Sequence, residues 1–211
     1  VTRRRARSDD DKAQRRVEIL AAARRRFDEV DIAEFSMDDV AAALGLAKGT
    51  LYRYVPTREG LLLALAANEY ADWFDDLDAF LADRSWRSTD RLVAHIVDSL
   101  LARPRFLRLV TVLPSVLERN VPVDLAREFK SGVLVRSDRA AAAIAARLGT
   151  RPDRAVQFLV HLQAGVIGLA HHAHPAPVIR DVLAEAEFAP MRIDLRAELT
   201  HLAAALVAAT R

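Results

Sequence analysis

The sequence predicts an all-α protein, and three observations carry that prediction. Of its 211 residues 52% are hydrophobic, with alanine and leucine abundant, which is ample for buried cores. Only 7 glycines and 8 prolines interrupt the chain, and strand-type blocks of β-branched and aromatic residues are nearly absent. Apolar residues recur three and four positions apart along most of the length. The expected architecture is an N-terminal three-helix head with a helix-turn-helix, followed by a larger C-terminal helical body, about nine helices.

Bulk charge says little about partners. The net charge is +2 and the isoelectric point about 9.3, so where the charges lie matters more than their sum. The chain has no cysteine, which excludes disulfides, thiolate nucleophiles and cysteine-based zinc sites. The arginine-rich N-terminus lacks the apolar core of a signal peptide, and no apolar run reaches membrane length. A soluble, cytoplasmic protein is expected.

Residues 1–11 are basic and then acidic, and are expected as a disordered tail that could lie along phosphates or be merely solvated. Residues 12–56 are expected to form the head. Its first helix runs from Lys12 to about Val30, with an apolar face of Val17, Leu20, Ala21, Ala23 and Phe27. Asp31 stands at its end, where a left-handed cap is expected. Ser36 caps the second helix, with Asp39 three residues on as an approximate capping box. Gly45 breaks that helix. Lys48 to about Val55 forms the third, with Leu51 and Val55 facing inward.

That division leaves an outward face of unusual chemistry. Lys48 offers a cation to a phosphate. Thr50, Tyr52 and Tyr54 offer hydroxyl donors that fix register on a duplex. Gly49 lets the helix start approach a groove closely, and Arg53 can fork onto a guanine edge. Pro56 ends the helix, Thr57 caps the next, and Arg58 stands at its start, placed for another phosphate. With Ser36, these residues form the candidate DNA-binding set.

From Arg16 to Leu62 the sequence resembles the tetracycline-repressor (TetR) family of bacterial regulators. The resemblance rests on Gly45, Leu46, Lys48, Gly49, Thr50, Leu51, Tyr52, Tyr54, Pro56 and Leu61, with Phe27, Ser36, Val40 and Ala41 in register. Four positions depart from the family pattern: Ala47 stands where a Ser or Thr cap is usual, Val55 for Phe, Arg58 for Lys, and Asp31 for Gly. The resemblance implies a DNA-binding transcriptional regulator, acting as a repressor that binds a palindromic operator as a homodimer and is released by a small lipophilic ligand. No enzymatic activity and no cofactor are expected.

Residues 57–211 are then the effector-binding and dimerisation domain. Its candidate pocket walls are Phe106, Leu109, Val110, Leu113, Phe129, Val133, Phe158 and Leu162, with His95, His161 and Gln163 as polar anchors; each could equally fill the core. The resemblance pairs the last two long helices across a two-fold axis. Leu159, Val166, Leu169, Leu195, Leu199, Leu202 and Leu206 are the expected interface.

Two alternatives remain. His171 and His174 are three apart, with His161 upstream, so a metal-responsive regulator is conceivable, although no cysteine or carboxylate adjoins them. An architectural DNA-binding protein without an effector would not need so large a body. An enzyme would need a nucleophile, an acid–base pair or a phosphate loop. Asp75, Asp76 and Asp78 form only an acidic cluster on a helix, so no catalytic residue is assigned.

Overall fold

A computed structural model describes residues 2–83, 86, 88–119 and 121–210, without side-chain detail for 2–9 and 115–119. It is 83% helical, and the described residues form ten α-helices and no strand. The chain divides into two compact units, Val1–Asn68 with Leu113–Phe129, and Glu69–Val112 with Lys130–Arg211.

The first unit holds α1 (Thr2–Glu29), α2 (Met37–Ala43), α3 (Lys48–Tyr54) and the first part of α4 (Arg58–Ala82). Helix α2 packs on both α1 and α3. Its core is Ile19, Ala22, Ala23, Phe27, Phe35, Met37, Val40, Ala41 and Leu51, with Leu61, Leu62 and Leu65 from α4. The Phe27 and Phe35 rings meet edge to face, their centroids 5.8 Å apart.

Three expectations about this unit are corrected. Helix α1 begins at Thr2 rather than Lys12; Arg3, Arg4, Arg5, Ala6 and Arg7 favour a helix there. The buried face of α1 is Ile19, Ala22, Ala23 and Phe27, and Val17 is 60% exposed. In an apolar run this rich in alanine, two helical phases fit the pattern almost equally, and Phe27 belongs to both. Asp31 takes no left-handed cap, since no described non-glycine residue has positive φ. Its carbonyl instead accepts the amides of Glu34 and Phe35 in a turn.

The second unit holds the rest of α4, α5 (Thr89–Leu101), most of α6 (Pro104–Arg119) and of α7 (Val123–Leu148), then α8 (Pro152–Ala173), α9 (Pro177–Ala184) and α10 (Leu195–Ala209). Helix α6 runs on through Pro114. Helix α10 packs against both α5 and α8. The α8–α10 approach is close: a Cβ on Gly165 would lie 2.3 Å from a Leu202 methyl carbon. Leu199, Ala203 and Val207 fill this seam from α10. The last helix starts at Leu195, where Asp194 caps it by accepting the Ala197 amide at 3.1 Å. Residues Ala186–Met191, with Pro190 inside, form a 3-10 helix instead.

Candidate nucleic-acid interface and body cavity

Two local devices aim α3. At its start, α2 is capped by Ser36, whose Oγ accepts the Asp39 amide hydrogen at 3.2 Å. At its end, Gly45 sits at φ 63°, its amide donates to Ala42 O at 3.0 Å and the Leu46 amide to Ala41 O at 2.9 Å. This is a Schellman turn, and its left-handed position is strained for any residue with a Cβ. Helix α3 then starts at Lys48 with no side-chain cap from Ala47. Leu51 is fully buried and anchors the helix to the core.

The opposite face carries the expected chemistry. Lys48, Gly49, Tyr52 and Arg53 are exposed, while Thr50 and Tyr54 are half-buried. Lys48 Nζ lies 2.8 Å from Asp38 Oδ2 and 5.9 Å from the centre of the Tyr52 ring. The Asp38 hydrogen bond raises the Lys48 pKa, so its ammonium is firmly charged. An Arg53 guanidinium nitrogen lies 3.5 Å from Thr50 Oγ1. Behind this face, Arg26 of α1 bonds Asp39 of α2 at 3.0 Å. The Ser36 hydrogen bond, and then that of Arg26, hold the Asp39 carboxyl below the ordinary carboxylate range.

Arg58 is placed differently from the expectation. Its Nε donates to Phe35 O at 2.8 Å and its Nη2 to Ile32 O, so its guanidinium ties the α1–α2 loop to the start of α4. Two of its donors are committed within the chain, and it is a clamp rather than a free cation. Thr57 does cap α4, accepting the Gly60 amide at 3.0 Å.

The second unit contains a cavity of about 50 Å³ lined by Tyr70, Trp73 and Phe74 of α4, Leu100 of α5, Phe106 and Val110 of α6, Ser137 of α7, and Leu159, Val160, Leu162, Gln163 and Val166 of α8. None of these side chains is charged. Burial raises the Tyr70 pKa, so the phenol is neutral. Trp73 Nε1 donates to Ser99 Oγ at 3.1 Å, which fixes one wall. Of the lining residues only Val160 is exposed, with Ser137 and Gln163 half-buried, so the cavity opens between α7 and α8.

Four of the expected pocket residues, Phe106, Val110, Leu162 and Gln163, line this cavity. Leu109 and Phe158 are buried but outside its lining, Val133 is half-buried, and His161 is exposed. Leu113 and Phe129 belong to the first unit. His95 does not reach the cavity lining. It stacks on Phe80 with centroids 4.1 Å apart, Nε2 is 3.6 Å from Asp76 Oδ2, and burial lowers its pKa. The other lining residues were not expected there: Tyr70, Trp73 and Phe74, which are spaced for the core of α4, Leu100, Ser137 and Val160, and also Leu159 and Val166, which were expected at the dimer interface.

Among the expected interface residues, Leu159, Val166 and Leu199 are buried within the protomer, and Leu169, Leu195, Leu202 and Leu206 are half-buried. Exposed positions on these two helices include Val160, Ala164 and Gly168 on α8 and His201, Ala204, Ala205 and Ala208 on α10, beside polar and charged ones such as Gln157, His161, Arg196, Glu198 and Thr200. His171 and His172 have ring centroids 5.9 Å apart, and His174 Nδ1 lies 2.9 Å from Ala170 O. Among the described residues no three metal-binding groups converge.

Residues 19–65 match the model of "Bacterial regulatory proteins, tetR family", and residues 67–208 match "Tetracyclin repressor-like, C-terminal domain". A curated relative, the HTH-type transcriptional regulator EthR of Mycolicibacterium smegmatis, is 41% identical over 63 residues. That match spans 30% of this chain and 28% of the relative. In fold, the chain is similar to a candidate TetR-family regulator from Mesorhizobium loti (TM-score 0.54, 19% identity, 94% of this chain and 96% of that one). A candidate transcriptional regulator from Streptomyces coelicolor is similar in fold as well (TM-score 0.51, 19% identity, 92% and 97%). No helix among the described residues is long and apolar enough to cross a membrane. With both its head and its body matched by models of one family, the chain belongs to the TetR family of transcriptional regulators.

Proposed function

We propose that this protein is a cytoplasmic repressor that binds a palindromic operator as a homodimer and leaves it when a small, neutral, lipophilic effector occupies the body cavity. The observation that carries the DNA reading is the exposed face of α3. Lys48, Gly49, Tyr52 and Arg53 stand together on one short helix whose other side is pinned by fully buried Leu51. A lysine beside a tyrosine ring on open surface suits phosphates, and Arg53 suits a base edge. A two-fold pair of such helices would read half-sites about 34–36 Å apart, or modestly more.

The effector class follows from the cavity lining. Four aromatic rings and no charge make entry of an ion costly, whereas Ser137 and Gln163 can orient one polar group. The cavity is small: an engineered cavity that binds benzene measures roughly 150 Å³. An aromatic effector must therefore push walls apart, and α4 carries three of those walls while continuing without a break from the first unit. Differential affinity for the enlarged state sets the size of any switch.

Replacing Lys48 and Tyr52 together by alanine tests this reading. Operator affinity is expected to fall at least about tenfold, with the thermal melt unchanged, since both side chains are exposed. Unchanged affinity would overturn the assignment of this face.

A further inference from the structure

A titratable cluster lies behind the cavity wall, outside the lining itself. His95 of α5 lies flat on Phe80 of α4, with rings 7° from parallel and centroids 4.1 Å apart. Phe80 in turn stacks on Trp86 with centroids 5.3 Å apart, and the Arg147 guanidinium of α7 lies 5.0 Å from the centre of the Trp86 ring. This stack fixes the plane of the imidazole. His95 Nε2 is buried, makes no hydrogen bond among the described residues, and lies 3.6 Å from Asp76 Oδ2 of α4. That is beyond hydrogen-bond length, so the nitrogen stands beside a carboxylate that it does not yet bind.

Asp76 is shared. The same Oδ2 lies 3.3 Å from Nη1 of Arg103, the residue before α6. That nitrogen also donates to Ser99 O at 2.8 Å, and Ser99 Oγ accepts the Trp73 indole hydrogen at 3.1 Å. Trp73 is a wall of the cavity. A chain of polar contacts therefore runs from His95 through Asp76, Arg103 and Ser99 to that wall. The other charges near His95 are Asp98 on its own helix, held by Arg196 of α10 at 2.5 Å, and Arg91 one turn earlier. Burial opposes a charge on His95, Asp76 favours it and Arg103 opposes it, so the imidazole is neutral at neutral pH and takes its proton in mild acid.

We infer that His95 is a proton switch set behind the effector cavity: on taking a proton from solvent its Nε2–H bonds Asp76, and Arg103 loses its carboxylate partner. The inference deepens the effector reading proposed above and rests on it for the link to ligand uptake. In the protonated state one carboxylate oxygen stands between two cations. The imidazolium is held in place by its ring stack, whereas the Arg103 side chain is partly open and can turn to solvent. Untied from Asp76, Arg103 holds Ser99 O less firmly, and the Trp73 wall yields more readily to a ligand. Effector uptake is thereby linked to pH, tighter in mild acid and weaker at neutral pH.

The chain has two tryptophans, so Trp86→Phe leaves Trp73 as the sole indole and keeps a ring against Phe80. Emission of the full-length Trp86→Phe protein is followed from about pH 8 to about pH 4.5, alone and with His95→Gln added, with circular dichroism to check folding. The expected result is a change in Trp73 emission with its midpoint below the ordinary histidine value of 6.5, absent once His95 is Gln. Should His95→Gln unfold, Asp76→Asn serves the same purpose and is likewise expected to abolish the change. A flat profile, or a change that survives both substitutions, would overturn the switch. The neutral fluorescent probe N-phenyl-1-naphthylamine reads the link to uptake. Its Kd is expected to fall at least about threefold between about pH 7.5 and about pH 5 in the parent chain, and to stay constant in His95→Gln. Equal Kd at both values in the parent would overturn the link. No binding at either value would overturn the effector reading and the link with it, while the Trp73 titration still decides the switch.

Discussion

The head and the body of this protein encode their working parts over different distances. In the head, each element that sets α3 acts on neighbours a few positions away: Ser36 bonds the Asp39 amide, Gly45 turns the chain beside Ala41 and Ala42, and Leu51 anchors the face that Lys48 and Tyr52 oppose. In the body, the cavity draws on five helices and on residues from Tyr70 to Val166. A motif of the first kind survives in sequence as a spacing. A cavity of the second kind leaves only apolar residues that read equally well as core.

Breaking each region at its anchor gives the largest effects. Leu51→Ala should cost about 3 kcal/mol, because it deletes fully buried apolar volume, and should abolish DNA binding as the head loosens. Urea unfolding monitored by circular dichroism reads the stability loss. In the body, Arg105→Ala should cost about 1–3 kcal/mol, since it removes a charged partner 2.9 Å from Glu69, a side chain only 4% exposed. That variant should lower the melting temperature. A loss below about 1 kcal/mol in either case would mean that the anchor has been misidentified.

The head's finer features allow smaller effects to be ordered. Gly45→Ala should cost about 1–2 kcal/mol from the left-handed backbone alone, as nothing within 4 Å would meet the added Cβ. Asp38→Asn should tighten DNA binding a few-fold, by releasing Lys48 and removing a negative charge beside the phosphates. The exposed pair it breaks contributes little to folding. Last comes a pH effect. The Asp39 carboxyl is held below its ordinary value of 3.8, so its stabilising contribution is present above that pH and is lost as pH falls through the lower folded-state value. The urea midpoint of Asp39→Asn should accordingly trail the parent protein at neutral pH and converge with it in acid.

Legibility followed the same divide. The all-α fold, the turn at Gly45, the Ser36 and Thr57 caps and the missing cap at Ala47 were readable, because each depends on a local hydrogen bond or backbone angle. The phase of α1 was not, because alanines flank both candidate faces and only packing against Phe35 and Val40 selects between them. Arg58 was read as a phosphate contact because a cation at a helix start suits one; its carbonyl partners, Ile32 and Phe35, lie more than twenty positions back. Tyr70, Trp73 and Phe74 were spaced for a core, and nothing in the sequence marks a core helix that also borders a cavity.

The central claim is that the α3 face reads specific DNA. Duplexes recovered by selection from fragments of the host genome should be compared with scrambled versions by fluorescence anisotropy over a salt series. The account predicts tight, palindrome-dependent binding that weakens steeply with salt, and a slope of log affinity against log salt that shrinks by about 1 for each Lys48 contact removed by Lys48→Ala. Selected and scrambled duplexes bound equally, or a slope indifferent to Lys48, would contradict it.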